Sequence, residues 1–320
     1  MHYLKKEKRG ESKQMGKIVQ ISILGKISGN VNADEVIGTR ITLKKMYSSS
    51  GEVLPFVSAR AIKYAIRQAF KENGYEIDPF IENPEAIEAL RLSDTGKPEK
   101  YIDNDVFGYM VTRGRGKTAR KRQAPVGLSY FKALKDTAIK TEFAARFPRS
   151  GEENPVPFEV EVAEFIGKLN CVIYDYIGKF KKEEIDDETK KVLEAIEGTV
   201  YKLSDSEREK RIKTFLKILL TPSYILPRRT NSLCIPEYIA ALIILSSKGA
   251  LPIFQYLNYD FTLNKVDVES LKVLLEREEI VKNNPKILLI DYFNKIEPIE
   301  KIEKTSISKA IDDVASFLRE

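Results

Sequence analysis

Apolar and polar residues alternate near the start of the chain in a pattern that predicts a β-strand. Between residues 17 and 27, Val19, Ile21 and Ile23 occupy every second position, which is the period of a half-buried strand. A polar loop rich in Gly and Asn follows. Short apolar runs predict further strands at residues 40–47, 126–135, 169–180, 235–246 and 286–293.

A helical spacing comes after the first strands. Ser58 is a good N-cap for a helix over residues 59–74, in which apolar residues recur on one face. On another face, Arg60, Lys63 and Arg67 line up three and four positions apart. A row of cations with little acidic pairing is either a solvated helix face or a surface that contacts phosphates.

Helices and strands alternate loosely through the rest of the chain, which predicts an α+β fold. Further helices are predicted at 181–198, from a capping box formed by Ser206 and Glu209, at 267–279 and at 306–319. Regular periodicity is lost at 78–125, so this part reads as an insertion. We therefore expect one domain over 17–320 and a disordered or tag-like segment at 1–16.

Composition excludes several classes of function. The single histidine, His2, rules out Ser-His-Asp and Cys-His catalysis, and two cysteines without a CxxC pair argue against a zinc site. Neither a GxGxxG nor a phosphate-loop motif is present. The longest apolar run, 238–245, is too short to cross a bilayer. We expect a cytoplasmic protein with no cofactor and no membrane partner.

Positive charge is concentrated in one stretch, residues 111–125, which reads VTRGRGKTARKRQAP. The stretch contains six cations and no acidic residue, so its charge of +6 equals the net charge of the whole chain. Such a stretch predicts a polyanion partner, and single-stranded nucleic acid fits best. Phe107 and Tyr109 precede it, either as stacking surfaces or as anchors of the insertion to the core. A smaller basic site contains Arg228 and Arg229.

A turn with Pro55, Val57 and Ser58 opens the first helix. A D-x-D-x-FG-like motif at 103–108 then precedes an Arg-Arg-x-Pro-like segment at 122–125. In this order, these segments resemble the DevR-type CRISPR-associated backbone subunit of Cascade, a crRNA-binding protein of type I systems. The similarity covers roughly residues 18–130. Ala59 stands where the family often has Gly, which departs from its pattern.

This resemblance implies an RRM-like (ferredoxin-like) palm with finger insertions at about 78–125 and a thumb hairpin at about 141–168. It also implies a non-catalytic subunit that oligomerises along the guide RNA and presents it for pairing with target DNA. The expected partners are crRNA, target DNA, other copies of the chain and other Cascade subunits.

The expected RNA contacts combine the basic patterns with polar residues of the first loop. They are Asn30, Asn32, Arg60, Lys63, Arg67, Arg113, Arg115, Lys117, Arg120, Lys121, Arg122, Arg228 and Arg229. No catalytic or metal-binding residue is expected in this interpretation. The alternative is a type III-like backbone subunit that cleaves target RNA with a metal at Asp34, and the carboxylates of Asp103 and Asp105 are weaker candidates for a metal site.

Overall fold

A computed structural model shows how the 320-residue chain folds. It describes residues 16–30, 33–82, 92–111, 119–147, 154–196, 198–222, 224–227 and 233–319. The segment 1–16, expected to be disordered or tag-like, lies outside the described residues except for Gly16.

The described residues form a mixed α+β structure with many strands and few helices. The strands are β1 Ile18–Gly29, β2 Ala33–Ile37, β3 Arg40–Leu43, β4 Lys45–Tyr47, β5 Val53–Val57, β6 Ile81–Glu82, β7 Leu92–Ser93, β8 Tyr109–Val111, β9 Arg120–Arg122, β10 Val126–Leu128, β11 Phe131–Ala133, β12 Lys140–Arg146, β13 Val156–Tyr174, β14 Lys179–Lys181, β15 Glu194–Ile196, β16 Val200–Lys202, β17 Glu237–Ser246, β18 Tyr259–Asp260, β19 Lys265–Val266, β20 Lys286–Asp291 and β21 Glu303–Lys304. The helices are α1 Ala59–Glu72, α2 Ile102–Phe107, α3 Asp187–Val192, α4 Asp205–Leu220, α5 Val268–Glu276, α6 Glu278–Asn283 and α7 Ile307–Arg319.

One large, mostly antiparallel sheet organises the fold. Its central strand, β1, pairs antiparallel with β13 on one side and with β17 on the other. Strands β10 and β11 continue the sheet beyond β13, and β20 continues it beyond β17. Helix α1 lies in the chain between β1 and β10, and α4 lies between β13 and β17. The finding confirms a mixed α+β class.

Each face of the sheet has its own apolar core. Ile21 and Ile23 of β1 point to the face covered by α1, α4 and α7, where Ile66 and Phe215 are fully buried. Leu24 points to the opposite face and belongs to a second core under α5 and α6. The alternation that predicts a half-buried strand thus reflects two cores, because β1 is covered on both sides.

The insertion predicted at 78–125 lies outside the large sheet in its described part. It contains α2 and two small antiparallel ladders, β6 with β7 and β8 with β9. Asp78 organises it, since its carboxylate accepts hydrogen bonds from Thr95 N and Oγ1 and from Asn104 Nδ2 at 2.6–2.8 Å.

A long hairpin extends from the sheet where β12 pairs with the first part of β13. The register runs from Lys140 opposite Val162 to Arg146 opposite Val156. Phe143 and Phe147 are 72% and 76% exposed, so this hairpin presents apolar side chains to solvent. It overlaps the segment 141–168 that the resemblance assigns to a thumb.

Most predicted elements are confirmed, but the strand predicted at 169–180 ends at Tyr174, where a turn over 175–178 leads into β14 of a separate sheet. Two helix predictions also need correction. Residues 181–198 form only the short helix α3, with β14 before it and β15 after it. The helix predicted from Ser206 begins at Asp205, and its N-cap is Ser204, whose Oγ accepts from Glu207 N at 3.3 Å. The capping box prediction was therefore wrong by two residues.

Candidate nucleic-acid interface

Helix α1 presents the predicted row of cations. Ser58 caps it as expected, since its Oγ accepts a hydrogen bond from Ala61 N at 3.3 Å. Arg60, in the first turn, is exposed and forms no ion pair with the residues that the structure describes. A phosphate can therefore reach its guanidinium from solvent without displacing a carboxylate.

The other two cations of the row lie against one aromatic ring. Lys63 Nζ lies 5.3 Å and the Arg67 guanidinium 5.2 Å from the centroid of the Phe107 ring. Burial and the charge of Arg67 lower the pKa of Lys63. Arg67 Nε also donates to Asp103 Oδ2 at 2.9 Å. Of the row, Arg67 is thus already paired with an acidic side chain.

The two acidic residues of the D-x-D motif have separate structural partners. Asp103 Oδ1 accepts from Asp78 N at 2.9 Å while Oδ2 faces Arg67. Asp105 is fully buried, and its carboxylate accepts from Arg122, from Arg211 and from Gly178 N. The two carboxylates point to different partners, so they do not share a site for a cation.

Arg122 is the centre of a buried ion-pair network. Its Nη2 lies 2.9 Å from Asp105 Oδ1 and its Nη1 lies 2.9 Å from Glu184 Oε2. The guanidinium also donates to the Tyr176 and Lys179 carbonyls and lies over the Phe180 ring. Its side chain is 0% exposed. The expectation that Arg122 closes over RNA needs correction, because its charge is neutralised inside the protein.

The described part of the basic tract continues a short hairpin. Strands β8 and β9 pair, with Val111 opposite Arg120, and residues 112–118 between them lie outside the described part. The Arg120 side chain is 11% exposed, and it pairs with Asp186 at 3.2 Å. Lys121 is exposed and forms no ion pair with the described residues. Of these last three cations of the tract, Lys121 is the accessible one.

Asn30, at the end of β1, is not placed for contact with a ligand. It is 3% exposed, and its Nδ2 donates to the Glu161 carbonyl at 2.7 Å. This prediction is corrected, because the amide is used to hold β1 against β13. The other predicted contacts lie outside the described residues: Asn32, Arg113, Arg115, Lys117, Arg228 and Arg229.

Comparison with known proteins gives the family. Residues 28–264, most of the chain, match the family described as CRISPR-associated negative auto-regulator DevR/Csa2. The chain belongs to the DevR/Csa2 family. No curated protein sequence matches it.

Two solved structures are similar to this family member in fold. A chain of a "CRISPR RNA-guided surveillance complex, pre-nicking" superposes with a TM-score of 0.60 at 11% identity, covering 93% of this chain and 99% of that one. A chain of a "CRISPR RNA-guided surveillance complex" gives a TM-score of 0.53 at 11% identity, covering 93% and 98%. At this identity the likeness concerns the fold.

The aromatic residues before the basic tract serve as anchors in the DevR/Csa2 chain. Phe107 is 7% exposed and packs against Phe70 and Phe215 with ring centroids 6.2 Å apart. Tyr109 is 6% exposed, and its hydroxyl donates to the Glu184 carbonyl. Of the two readings of these residues, attachment of the insertion to the core is confirmed.

A groove beside Lys121 contains cations that the sequence pattern does not single out. It has a volume of about 710 Å³ and is lined by β9 and by residues 181–187. Lys181 and Lys182 lie on its far side, both exposed, next to Glu183. Hydrogen bonds from Arg122 to the Lys179 carbonyl and to Glu184 Oε2 bring these lysines to the basic tract, which their distance along the chain conceals.

The metal-dependent alternative has little described structure to test. Asp34 lies in β2, but its side chain is outside the description. Within the described residues, no three His, Cys, Asp or Glu side chains cluster in a way that could hold a metal ion.

Among the helices that the structure describes, none is long and apolar enough to span a membrane.

Proposed function

We propose that the chain is a non-catalytic, crRNA-binding backbone subunit of a type I CRISPR interference complex. The observation that carries this proposal is the family match over residues 28–264. The similar solved folds belong to chains of CRISPR RNA-guided surveillance complexes. The protein would act in the cytoplasm with crRNA, target DNA, other Cascade subunits and further copies of itself.

The proposed palm is the central part of the large sheet. In chain order, β1, α1, β10 with β11, β13, α4 and β17 follow the β-α-β-β-α-β order of a ferredoxin-like, or RRM-like, unit. In space, β17, β1, β13 and β10 lie side by side. Antiparallel pairing of β1 with both neighbours supports this assignment, because that topology requires it.

The elements around the palm supply the other proposed parts of a single domain over 17–320. The insertion at 78–125 corresponds to fingers, and its buried ion pairs give it a fixed position against α4. The β12–β13 hairpin corresponds to a thumb. Exposed Phe143 and Phe147 at this hairpin support a role in contacting a neighbouring copy along the RNA.

The proposed RNA-contacting surface is narrower than the basic pattern in the sequence. Arg60, Lys63 and Lys121 remain proposed contacts, because none of them forms an ion pair with the described residues. Outside the described part, Asn32, Arg113, Arg115, Lys117, Arg228 and Arg229 also remain proposed contacts. Arg122 and Asn30 are omitted, and Arg67 and Arg120 are proposed only as supports for neighbouring cations. Contacts to phosphates hold the RNA without reading it, so target selection would come from guide pairing.

The test is a binding experiment with a CRISPR-repeat-derived RNA. Purified protein is mixed with labelled RNA and Mg²⁺, and the sample is divided between a sizing column and a denaturing gel. We expect large complexes that contain several protein copies and intact RNA. Absence of RNA binding at low salt would contradict the proposed function.

Catalysis is tested in the same sample after addition of a complementary target RNA. We expect an uncut target. Regularly spaced, metal-dependent cuts that disappear in Asp34→Ala would instead establish the type III-like activity and overturn the non-catalytic proposal. Asp312→Ala is the matched control, since its side chain is 61% exposed on α7 and belongs to neither candidate site.

A further inference from the structure

The face of the large sheet opposite α1 and α4 is covered over only part of its width. Over β1, β17 and β20, Leu24, Leu242 and Leu289 are buried beneath the segment that contains α5 and α6. Over β13, β11 and β5, the same face carries polar and aromatic side chains that are partly or largely exposed. We call this area the sheet strip. It consists of Phe56, Tyr130, Lys132, Lys168, Asn170 and Tyr174.

The register of the strands places these residues on one face. Lys132 on β11 lies opposite Lys168 on β13 and, on its other side, opposite Phe56 on β5. Along β13, Lys168, Asn170 and Tyr174 lie an even number of positions apart, so their side chains share a face. Their neighbours of odd number, such as Cys171, belong to the core under the helices.

Two lysines face each other at the end of the strip that carries Phe56, and neither has an acidic partner among the described residues. Like charges directly opposite on neighbouring strands are destabilising. Among the described residues, Lys168 Nζ donates to two neutral groups, the Leu257 carbonyl and Asn258 Oδ1, each at 3.2 Å. Lys132 is exposed and forms no ion pair within the described structure. Burial and the charge of Lys132 lower the pKa of Lys168 to about 8. An anion bound between the two ammonium groups would remove this repulsion.

Stacked aromatic rings lie at both ends of the strip. At one end Phe56 and Tyr130 stack with centroids 4.9 Å apart, and Tyr130 is 50% exposed. At the other end Tyr174 stacks on Tyr176 with centroids 5.7 Å apart, and Tyr174 is 39% exposed. Each end therefore offers an exposed ring that a second ring holds in place, which is the form of a base-stacking platform.

Polar groups and open space connect the two ends. Asn170 Oδ1 accepts from Ser22 Oγ at 2.8 Å, which fixes the amide, while its Nδ2 donates to none of the described residues. Gly127, opposite Val172, is exposed, and a Cβ there would meet no atom within 4 Å. The floor of the strip is thus open to a ligand and offers a hydrogen-bond donor.

The strip also adjoins the basic tract. Tyr174 N donates to the Pro125 carbonyl at 2.9 Å, and Tyr176 Oη donates to the Ala124 carbonyl at 3.0 Å. A nucleic-acid chain that contacts the cations near Lys121 can therefore continue directly onto Tyr174. From Lys168 to Tyr174 the strand rises about 20 Å at about 3.3 Å per residue. This length suits the two or three bases that a sheet with exposed aromatics stacks.

We propose that the sheet strip binds a short run of single-stranded nucleic acid, with a phosphate between Lys132 and Lys168 and bases on Tyr130 and Tyr174. This inference rests on the proposed RNA-binding function and assigns it a surface that the basic pattern does not reveal. A nucleic acid is favoured over an acidic peptide because stacked exposed rings share the strip with the cations and none of the strip residues is acidic.

The test measures affinity for the labelled repeat RNA in strip variants of the full chain. Tyr174→Ala is expected to weaken binding about 5- to 150-fold through the loss of one stacked base. Lys132→Ala is expected to reduce the slope of log affinity against log salt by about 0.7. Lys282→Ala is the control for charge, because this lysine is 72% exposed on α6, outside the strip. Circular dichroism checks that each variant is folded.

The outcomes separate this inference from the function on which it rests. Wild-type protein that binds RNA, with Tyr174→Ala and Lys132→Ala binding equally well, would overturn the sheet strip and leave the proposed function standing. Wild-type protein that binds no RNA would overturn both. A change in the oligomeric state of RNA-free protein on Lys132→Glu would also overturn the inference, since it would make the strip an interface between copies.

Discussion

Arg122 and Asp105 form a fully buried ion pair, with Arg122 Nη2 2.9 Å from Asp105 Oδ1 and both side chains 0% exposed. Asp105 simultaneously pairs with Arg211 of α4 at 3.0 Å. One carboxylate thus joins the insertion, the end of the basic tract and the helical layer. The D-x-D-x-FG-like motif and the Arg-Arg-x-Pro-like segment are two halves of one structural contact.

Removal of the Asp105 charge should destabilise the fold strongly. In Asp105→Asn, Arg122 and Arg211 would face each other without their shared anion in a site closed to water. Loss of one partner of a buried ion pair costs about 3–5 kcal/mol. Urea denaturation should show this decrease in the free energy of unfolding. Asp187→Asn, which affects an exposed pair with Lys190, should change the free energy of unfolding far less. Equal effects in the two variants would contradict the importance of the network.

Gly108 should not tolerate a side chain. Its φ is +72°, and a Cβ would lie 2.5 Å from the Arg122 carbonyl oxygen and 2.9 Å from Ala124 N. Gly108→Ala therefore combines a left-handed backbone with a clash against backbone atoms, for which we expect a loss of at least about 2 kcal/mol. Gly127→Ala is the control, because its site is open. Thermal unfolding of both variants measures the difference, and a Gly108→Ala protein as stable as the control would contradict the close approach.

Local sequence patterns predict those elements whose stability is local. Residues 59–74 carry a cap, an apolar face and a stop signal, and α1 forms there with Ser58 as its cap. Residues 181–198 are rich in helix formers, yet most of them are not helical. Lys179, Phe180 and Lys181 pair with β16, and Phe180 is buried with Ile185 and Leu203. Tertiary pairing overrides helix propensity in this segment, and no local pattern reveals it.

The site is harder to predict because charge along the sequence does not specify burial. In the sequence, nothing distinguishes Arg122 from the other cations of the basic tract. It is buried because the fold brings Glu184, which is distant along the chain, into contact with it. The sequence feature that could have indicated an ion pair is the acidic motif at 103–105, which lies a few residues before the basic tract. The sheet strip could not be predicted in this way, because Phe56, Lys132 and Lys168 come together only through the register of three strands.

Lys168 should make stability depend on pH in the alkaline range. Burial and Lys132 lower its pKa to about 8, so between about pH 8 and 10 the unfolded chain holds a proton there that the folded chain does not. The contribution of Lys168 to the free energy of unfolding should therefore rise with pH across this range. Relative to Lys168→Met, wild-type protein should gain stability from pH 8 to pH 10 in urea denaturation.

The companion variant for this titration is Lys132→Met. Without the facing charge, the pKa of Lys168 should be lowered less, and the rise in stability should begin at higher pH. Leu24 lies on the β1 side of Lys168, and the 257–258 segment contributes a carbonyl and an amide, so Lys132 is the charged neighbour to remove. Identical pH profiles for wild type and Lys168→Met would contradict the lowered pKa.

Lys121 and Arg122 are adjacent in the basic tract but should behave in opposite ways. Lys121→Ala removes an exposed cation, so we expect RNA binding with a salt slope smaller by about 0.7 and a free energy of unfolding within about 0.5 kcal/mol of wild type. Arg122→Ala removes the described cationic partner of Glu184 and leaves Asp105 with Arg211 alone, so it should lower the free energy of unfolding by about 3–5 kcal/mol. Affinity measured across a salt series, with denaturation curves of the same samples, distinguishes the two roles. A stable Arg122→Ala protein with a reduced salt slope would show that this arginine leaves its buried site to contact RNA.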